Sequence, residues 1–354
     1  MHKVFGRKEN DKTIIGIRAD GNAALGMGHL MRCISIAAAL EKQGARCIFF
    51  TAGEQAGELL REKGFPCEVL DTDYRDMEAE LPGLKKMAES YDLKLWLVDS
   101  YQITQSYVQV LRKSCPVIYL DDVGEQIYEA DGLMNYNIYG DRLGYEARCP
   151  AHMRLFLGTD YVPVKEEFVT TPYTVREEVQ NVLITMGGSD TLNITGQLSQ
   201  SLLQRLPKEI GLTLICGRFN PHLQELMQLQ ESTHRVRVLV DVADMWNRLA
   251  QADLAVSAAG STMYELSTMG VPTVCCFYVE NQRRIAEGFE ARVGMCNAGD
   301  YAAEPEMVLE RLTEAVIDLA ENKEMRKKLS ARMKRVTDGQ GAARLAREIL
   351  KCAK

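Results

Sequence analysis

Consecutive apolar residues, rather than alternating ones, mark the strands of this chain. TIIGIRAD (13–20), CIFFTAG (47–53), CEVLD (67–71), LWLVDS (95–100), VIYLDD (117–122) and GLMNYNIY (132–139) each read as strand. Helical patterns lie between them at 28–43, 56–64, 76–91 and 104–114, with Thr104 as an N-cap and a break expected near Pro82. A continuous apolar run is what a strand shows when helices cover both its faces, as in parallel sheets. The repeated strand–helix order therefore predicts an α/β, doubly wound parallel sheet. Periodicity weakens from 141 to 178, and Pro172 with the charges after it places a domain boundary near 172–178. Alternation then restarts, with strands at 181–188, 212–217, 236–240, 254–260 and 272–278 and helices at 191–206, 221–231, 243–252 and 261–270. Helical stretches at 304–321, 323–336 and 341–352 close the chain. The expectation is two Rossmann-like domains: 1–175, with a polar tail at 1–12, and 176–354, whose last helix is able to cross back. Tandem halves of this kind usually hold a ligand in the cleft between them, at the carboxyl ends of the strands.

Composition narrows the function classes. Apolar residues make up 46% and charged residues 26% of 354, ordinary for a globular protein and unlike a disordered or collagen-like chain. The net charge of −7 argues against coating nucleic acid, which wants a basic face. It leaves room for a small anion held by backbone amides. No run approaches 18 apolar residues, so no membrane span is expected, and MHKVFGRKENDK lacks the apolar stretch of a signal peptide. The ten cysteines form no C-x-x-C pair and mostly sit in apolar runs, which reads as reduced core thiols in a cytoplasmic protein.

Three strand-to-helix turns carry candidate chemistry. The first is ADGNAALGMGH (19–29), where Gly21, Gly26 and Gly28 allow a tight bend and His29 opens the helix. The helix dipole disfavours an imidazolium there, so the ring is suited to accept a proton; the alternative is a helix-capping histidine. His29 is the one histidine at the carboxyl end of a predicted strand, and the glycine spacing is not a dinucleotide fingerprint. The second turn is Met186-Gly187-Gly188-Ser189-Asp190, a phosphate cradle at a helix N-terminus or a tight turn capped by Ser189 or Asp190. The third runs from Ser257 to Glu265. Gly260, Ser261 and Thr262 open a helix there, and Glu265 sits one turn above Ser261, within reach of a ribose diol. Its alternative is a solvent-facing acid over an N-cap. Tyr101 ends a strand as a cleft or rim aromatic, and Asn281-Gln282 offers amides to a sugar or caps its helix. Asp121 and Asp122 point opposite ways at a strand end, so capping is favoured over an acid pair. The basic run near 327–337 reads as a solvated helix face.

IRADGNAALGMGHLMRC, ITMGGSD, AAGSTMYEL and GVPTVCCFYVENQ, in this order, resemble the UDP-2,4-diacetamido-2,4,6-trideoxy-β-L-altropyranose hydrolase family of pseudaminic acid biosynthesis. They are more distantly similar to the N-acetylglucosaminyltransferase that makes lipid II. The resemblance covers about residues 13–300. It implies a GT-B fold, no metal and no cofactor, with UDP held mainly by the second domain and a small-molecule UDP-sugar as partner. On these motifs the catalytic histidine falls on His29 beside Gly28, the sugar-contacting residues on Tyr101 and Asn281 next to Gln282. The nucleotide-binding residues fall on Gly187, Gly188, Ser189, Gly260, Ser261, Thr262 and Glu265. Val242 lies where related enzymes hold uracil by backbone atoms. Thr191 follows GGSD where the family often has proline. The expected activity is inverting hydrolysis of the UDP-sugar, with an inverting glycosyltransferase and a non-catalytic binding protein as the alternatives.

Overall fold

The computed structural model describes residues 12–22, 27–218 and 220–353. Most of the polar tail and Gly26 of the first glycine turn lie outside these residues. Among the described residues two sheets are formed, with every strand pair in them parallel. The first contains β1 (Ile14–Ala19), β2 (Arg46–Thr51), β3 (Cys67–Val69), β4 (Leu95–Asp99), β5 (Val117–Leu120), β6 (Gly132–Asn135) and β7 (Arg154–Leu157), in spatial order β3-β2-β1-β4-β5-β6-β7. The second contains β8 (Asn181–Thr185), β9 (Gly211–Cys216), β10 (Val236–Val240), β11 (Leu254–Ala258), β12 (Thr273–Phe277) and β13 (Asn297–Asp300), in order β10-β9-β8-β11-β12-β13. Both orders reverse direction beside the first strand of their sheet, so the doubly wound expectation holds. The central strands β4, β5, β11 and β12 are buried at every position, the burial that their unbroken apolar runs require.

Helices cover the sheets with one apolar face each. Helix Gly28–Lys42 buries Leu30, Cys33, Ile34, Ala37 and Leu40, a helical spacing, while Glu41 and Lys42 at its end are exposed. Thr104 caps helix Gln105–Arg112 as expected, its hydroxyl accepting from the Tyr107 amide at 3.0 Å. The stretch expected as helix over 76–91 does break near Pro82: a short 3₁₀ turn at Met77–Glu80 gives way to helix Leu81–Tyr91, and Pro82 lies in the first turn of that helix, where its missing N–H costs nothing. The helix expected from 191 starts at Ile194, because Asp190 and Asn193 adopt positive φ and hold the preceding residues in a turn.

Two compact units result. One comprises the described residues of Met1–Tyr136, Gly140–Pro163 and Gly341–Lys354; the other comprises Asn137–Tyr139 and Val164–Gln340. The final helix, Gly341–Cys352, belongs with the first unit, and Gln43 donates to the Ala343 carbonyl at 2.8 Å. Its first residue must be glycine, because a Cβ at 341 would stand 2.2 Å from the Val162 carbonyl oxygen. The division at Pro163 and Val164 precedes the 172–178 boundary expected from periodicity. The stretch before it contains β7, an edge strand of the first sheet, and so is packed with that unit. Among the described residues no helix is long and apolar enough to cross a membrane.

Candidate active site

In the first unit β1 and β4 lie side by side where the strand order reverses, and their carboxyl ends deliver Asp20 and Asp99. Helix Gly28–Lys42 starts after β1, with Gly28 exposed at its first position. It puts His29 and, one turn on, Arg32 on the same face. His29 Nδ1 stands 2.6 Å from Asp99 Oδ1. Arg32 grips the same carboxylate as a fork, Nε to Oδ2 and Nη2 to Oδ1, each at 2.6 Å. Arg32 Nη1 also donates to both oxygens of Asp122, at 2.9 and 2.8 Å, and to the Tyr136 hydroxyl at 3.3 Å. Tyr101 donates its hydroxyl to Asp122 at 3.1 Å and sets its ring edge-on to His29, centroids 4.6 Å apart.

Burial pushes the Asp99 carboxyl up, but Arg32 and His29 outweigh it and hold the group well below the usual carboxylate range. An ionised Asp99 can only accept, so Nδ1 of His29 donates to it, and in the neutral ring the lone pair then lies on Nε2. No partner occupies Nε2 among the described residues. The imidazole is thus fixed in orientation and tautomer with one basic nitrogen available. Asp121 caps the turn after β5, accepting from the amides of Val123 and Gly124 at 2.8 and 3.0 Å, as expected for that position. Asp122 faces the other way and pairs with Arg32.

A second ionic cluster lies entirely inside this unit. Arg18 of β1 is fully buried, with Nε 2.8 Å and Nη2 2.9 Å from the Glu80 carboxylate and Nη1 2.6 Å from Asp20. Tyr107 donates to Glu80 at 2.6 Å, and Asp20 accepts from the Ala52 amide at 2.8 Å. Every charge there is paired, which a buried cluster requires. It fixes the end of β1 from which the His29 turn departs.

In the second unit the carboxyl ends of β8 and β11 are likewise adjacent. Gly187 has φ +82 and Gly188 packs so tightly against Gly217 that a Cβ at 217 would meet the Gly188 carbonyl oxygen at 2.3 Å. The amides of Gly187, Gly188 and Ser189 have no partner among the described residues. The helix beyond them is closed to a phosphate: buried Asp190 accepts from Ile194 and Thr195, both at 2.9 Å, and Asn193 accepts from Gly196 at 3.2 Å. Any anion at this turn would therefore meet loop amides rather than the helix terminus.

Helix Thr262–Met269 differs. Ser261 precedes it with no side-chain cap, and the amides of Ser261 and Thr262 are unpaired among the described residues. This N-terminus remains open to an anion. Glu265 follows one turn up, half-buried and with no hydrogen-bond partner among the described residues. Burial raises its carboxyl to about 7, against a small opposing pull from Lys165. Val242, past β10, keeps its backbone N–H and carbonyl unpaired among the described residues. Past β12, Gln282 accepts from the Tyr278 amide at 3.2 Å, whereas the side chain of the exposed Asn281 has no partner among the described residues. Tyr278 in turn donates to the Met186 carbonyl at 2.8 Å, tying this segment to the glycine turn.

The structure thus brings Gly28, His29 and Tyr101 together in the first unit. In the second it gathers the 187–189 turn, residues 260–262 and Glu265 at neighbouring strand ends, with Asn281 and Gln282 linked to the glycine turn through Tyr278. Sequence reasoning missed Arg32, Asp99 and Asp122 as site residues. Their one local signal was an acid closing each of two strands. Among the described residues no group of three or more His, Cys, Asp or Glu is arranged to hold a metal ion.

Residues 181–342 match the Glycosyltransferase family 28 C-terminal domain. The chain is 25% identical over 283 residues to the spore coat polysaccharide biosynthesis protein SpsG of Bacillus subtilis, covering 78% of this chain and 80% of that one. It is 22% identical over 270 residues to the UDP-2,4-diacetamido-2,4,6-trideoxy-beta-L-altropyranose hydrolase of Campylobacter jejuni, covering 76% and 93%. Among solved structures, MurG of Acinetobacter baumannii superposes with a TM-score of 0.68 at 14% identity, over 96% of this chain and 99% of that one. The fold is GT-B.

Proposed function

We propose that the chain hydrolyses a UDP-linked 2,4-diacetamido-2,4,6-trideoxy sugar at the anomeric carbon, with inversion, releasing UDP and the free sugar for nonulosonic acid biosynthesis. The observation that carries this reading is the 2.6 Å contact between His29 Nδ1 and Asp99, which leaves Nε2 as a positioned base. Water gives its proton to Nε2 as its oxygen bonds to C1. The bond from C1 to the diphosphate breaks, and the electron pair leaves on a β-phosphate oxygen. The open amides at Ser261 and Thr262, with the loop amides at 187–189, supply fixed dipoles for that developing charge. Glu265 takes the ribose hydroxyls and the Val242 backbone the uracil. Tyr101 and Asn281 contact the sugar, with Gln282 holding the segment that presents Asn281. The likeness to the Campylobacter hydrolase supports the sugar class.

A second reading is an inverting glycosyltransferase on the same residues, with an acceptor hydroxyl in place of water. The match to a glycosyltransferase domain favours it. Incubation with a panel of UDP-sugars, scoring UDP and free sugar without any acceptor, separates the two. Free sugar formed in step with UDP supports hydrolysis; UDP release only when an acceptor is added supports transfer.

UDP is expected to raise the melting temperature equally with and without EDTA, since amides rather than a metal hold the diphosphate in this account. At ten times its Kd the stabilisation is about 1.4 kcal/mol. A shift in differential scanning fluorimetry that EDTA abolishes would contradict the amide-based site.

A further inference from the structure

His29 faces an electrostatic obstacle as a base. Arg32 Nη2 stands 3.1 Å from its Nδ1, and a full positive charge there opposes an imidazolium. Asp99 alone cannot offset two cations, because it carries one negative charge and both groups bind its Oδ1. The groups facing the imidazole are Asp99 at the end of β4, Tyr101 beyond it, Arg32 and Cys33 on the same helix, Asp122 after β5 and Tyr136 after β6. Burial raises the Cys33 thiol and pushes the Tyr136 phenol up to about 12, so neither carries charge near neutrality. Among the described residues the charge on the cluster is then set by Arg32, Asp99 and Asp122.

We propose that Asp122 is a positioning residue of this site: paired with Arg32 at 2.8 and 2.9 Å, it neutralises the guanidinium so that Asp99 is left to balance a protonated His29. With Asp122 present the cluster goes from one net negative charge to none when His29 takes the proton. Without it, the cluster goes from none to one net positive charge, among side chains only 1% to 13% exposed. A cation formed in such a site is disfavoured. The same carboxylate accepts from the Tyr101 hydroxyl, so the tyrosine set against the imidazole is placed by the group that tunes it. Asp122 is given no substrate contact in this account; it acts on His29 through its charge and through Arg32 and Tyr101.

This inference rests on His29 as the base, but its test does not need turnover. The full chain is labelled with ¹⁵N-histidine, and the His29 ring is assigned among five histidines by its loss in His29→Gln. Its titration is then followed by NMR. Asp122→Asn is expected to move the His29 midpoint down by about one unit, and Arg32→Gln to move it up. The double variant restores the wild-type charge count and is expected to return close to the wild-type midpoint. In turnover the acid limb of kcat/KM moves down with Asp122→Asn, and its plateau falls by up to about tenfold. A well-dispersed Asp122→Asn spectrum with an unmoved midpoint would overturn the proposal, as would single variants that shift in the same direction. Should Arg32→Gln not fold, Asp122→Asn with rescue by Asp122→Glu decides alone. The expected shifts in a chain that releases no UDP would remove the hydrolase reading and leave the charge coupling standing.

Discussion

His29→Ala is expected to lower kcat by about 10²–10⁴-fold while UDP affinity stays unchanged. Among the described residues of its cluster the neutral ring is the only side chain able to offer a nitrogen lone pair. Removing it deletes the proton acceptor together with its contacts to Asp99 and Tyr101, but Asp99 keeps its two bonds from Arg32 and the buried charges stay paired. The residues assigned to the nucleotide all belong to the second unit, so UDP binding is independent of the change. His29→Asn is expected to behave alike, since an amide can hold water but cannot take its proton. Steady-state kinetics, with calorimetry for UDP and circular dichroism for folding, checks this. A folded variant retaining more than about a tenth of wild-type kcat would contradict the assignment, because the loss would fall below the range for a base. Loss of UDP affinity together with activity would make His29 a binding residue.

Glu265→Gln is expected to weaken nucleotide binding by roughly 10- to 150-fold, the range for losing a hydrogen bond to a charged group, while stabilising the ligand-free protein. Burial raises this carboxyl to about 7 with no hydrogen bond in return. The folded state therefore holds its proton more tightly than the unfolded one. The stability tied to the neutral form is complete below the ordinary carboxylate range and is lost as pH rises through about 7. Glutamine cannot ionise, so the variant should match wild type in acid and exceed it above neutrality by on the order of 1–2 kcal/mol, after allowing for the solvent that still reaches the group. Ribose hydroxyls donate to the ionised form. Affinity for a UDP-sugar should accordingly rise with pH up to about 7 and then level, and Glu265→Gln should flatten that dependence. Calorimetry in a His29→Ala background avoids turnover, and a UDP-sugar avoids the terminal phosphate of UDP, which itself titrates near 6. Unchanged affinity in Glu265→Gln would return Glu265 to an ordinary surface acid.

Central strands were legible in the sequence because burial on both faces leaves an unbroken apolar run. The edge strands β3 and β10 were legible too, but the edge strands β7 and β13 were not. β7 reads RLFL with one exposed end, and β13 reads NAGD, pairing with β12 through a register shift. RLFL is a three-residue apolar run inside a weakly periodic stretch, and NAGD has no apolar run at all. Turn chemistry was half legible: the glycines at 187 and 188 marked a bend, but Asp190 and Asn193 had to be seen at positive φ before the helix start moved to Ile194. His29 could be singled out from its place after β1. Its partners could not, because Arg32 meets Asp99 and Asp122 across 67 and 90 residues of chain. Likewise nothing local in TIIGIRAD foretells that Arg18 will find Glu80, 62 residues away. Short-range patterns report burial and turns; charge networks are made by the sheet order, which brings the ends of β1, β4 and β5 together.

Hydrolysis in H₂¹⁸O, followed by ¹H NMR of the first-formed sugar and mass spectrometry of both products, tests the central claim most directly. Attack of water on C1 predicts that the label enters the sugar alone, that UDP stays unlabelled and that the anomer appearing first has the inverted configuration. Label in UDP would place the cleavage at phosphorus, and a retained anomer would require an enzyme nucleophile; either result would contradict a His29-activated water.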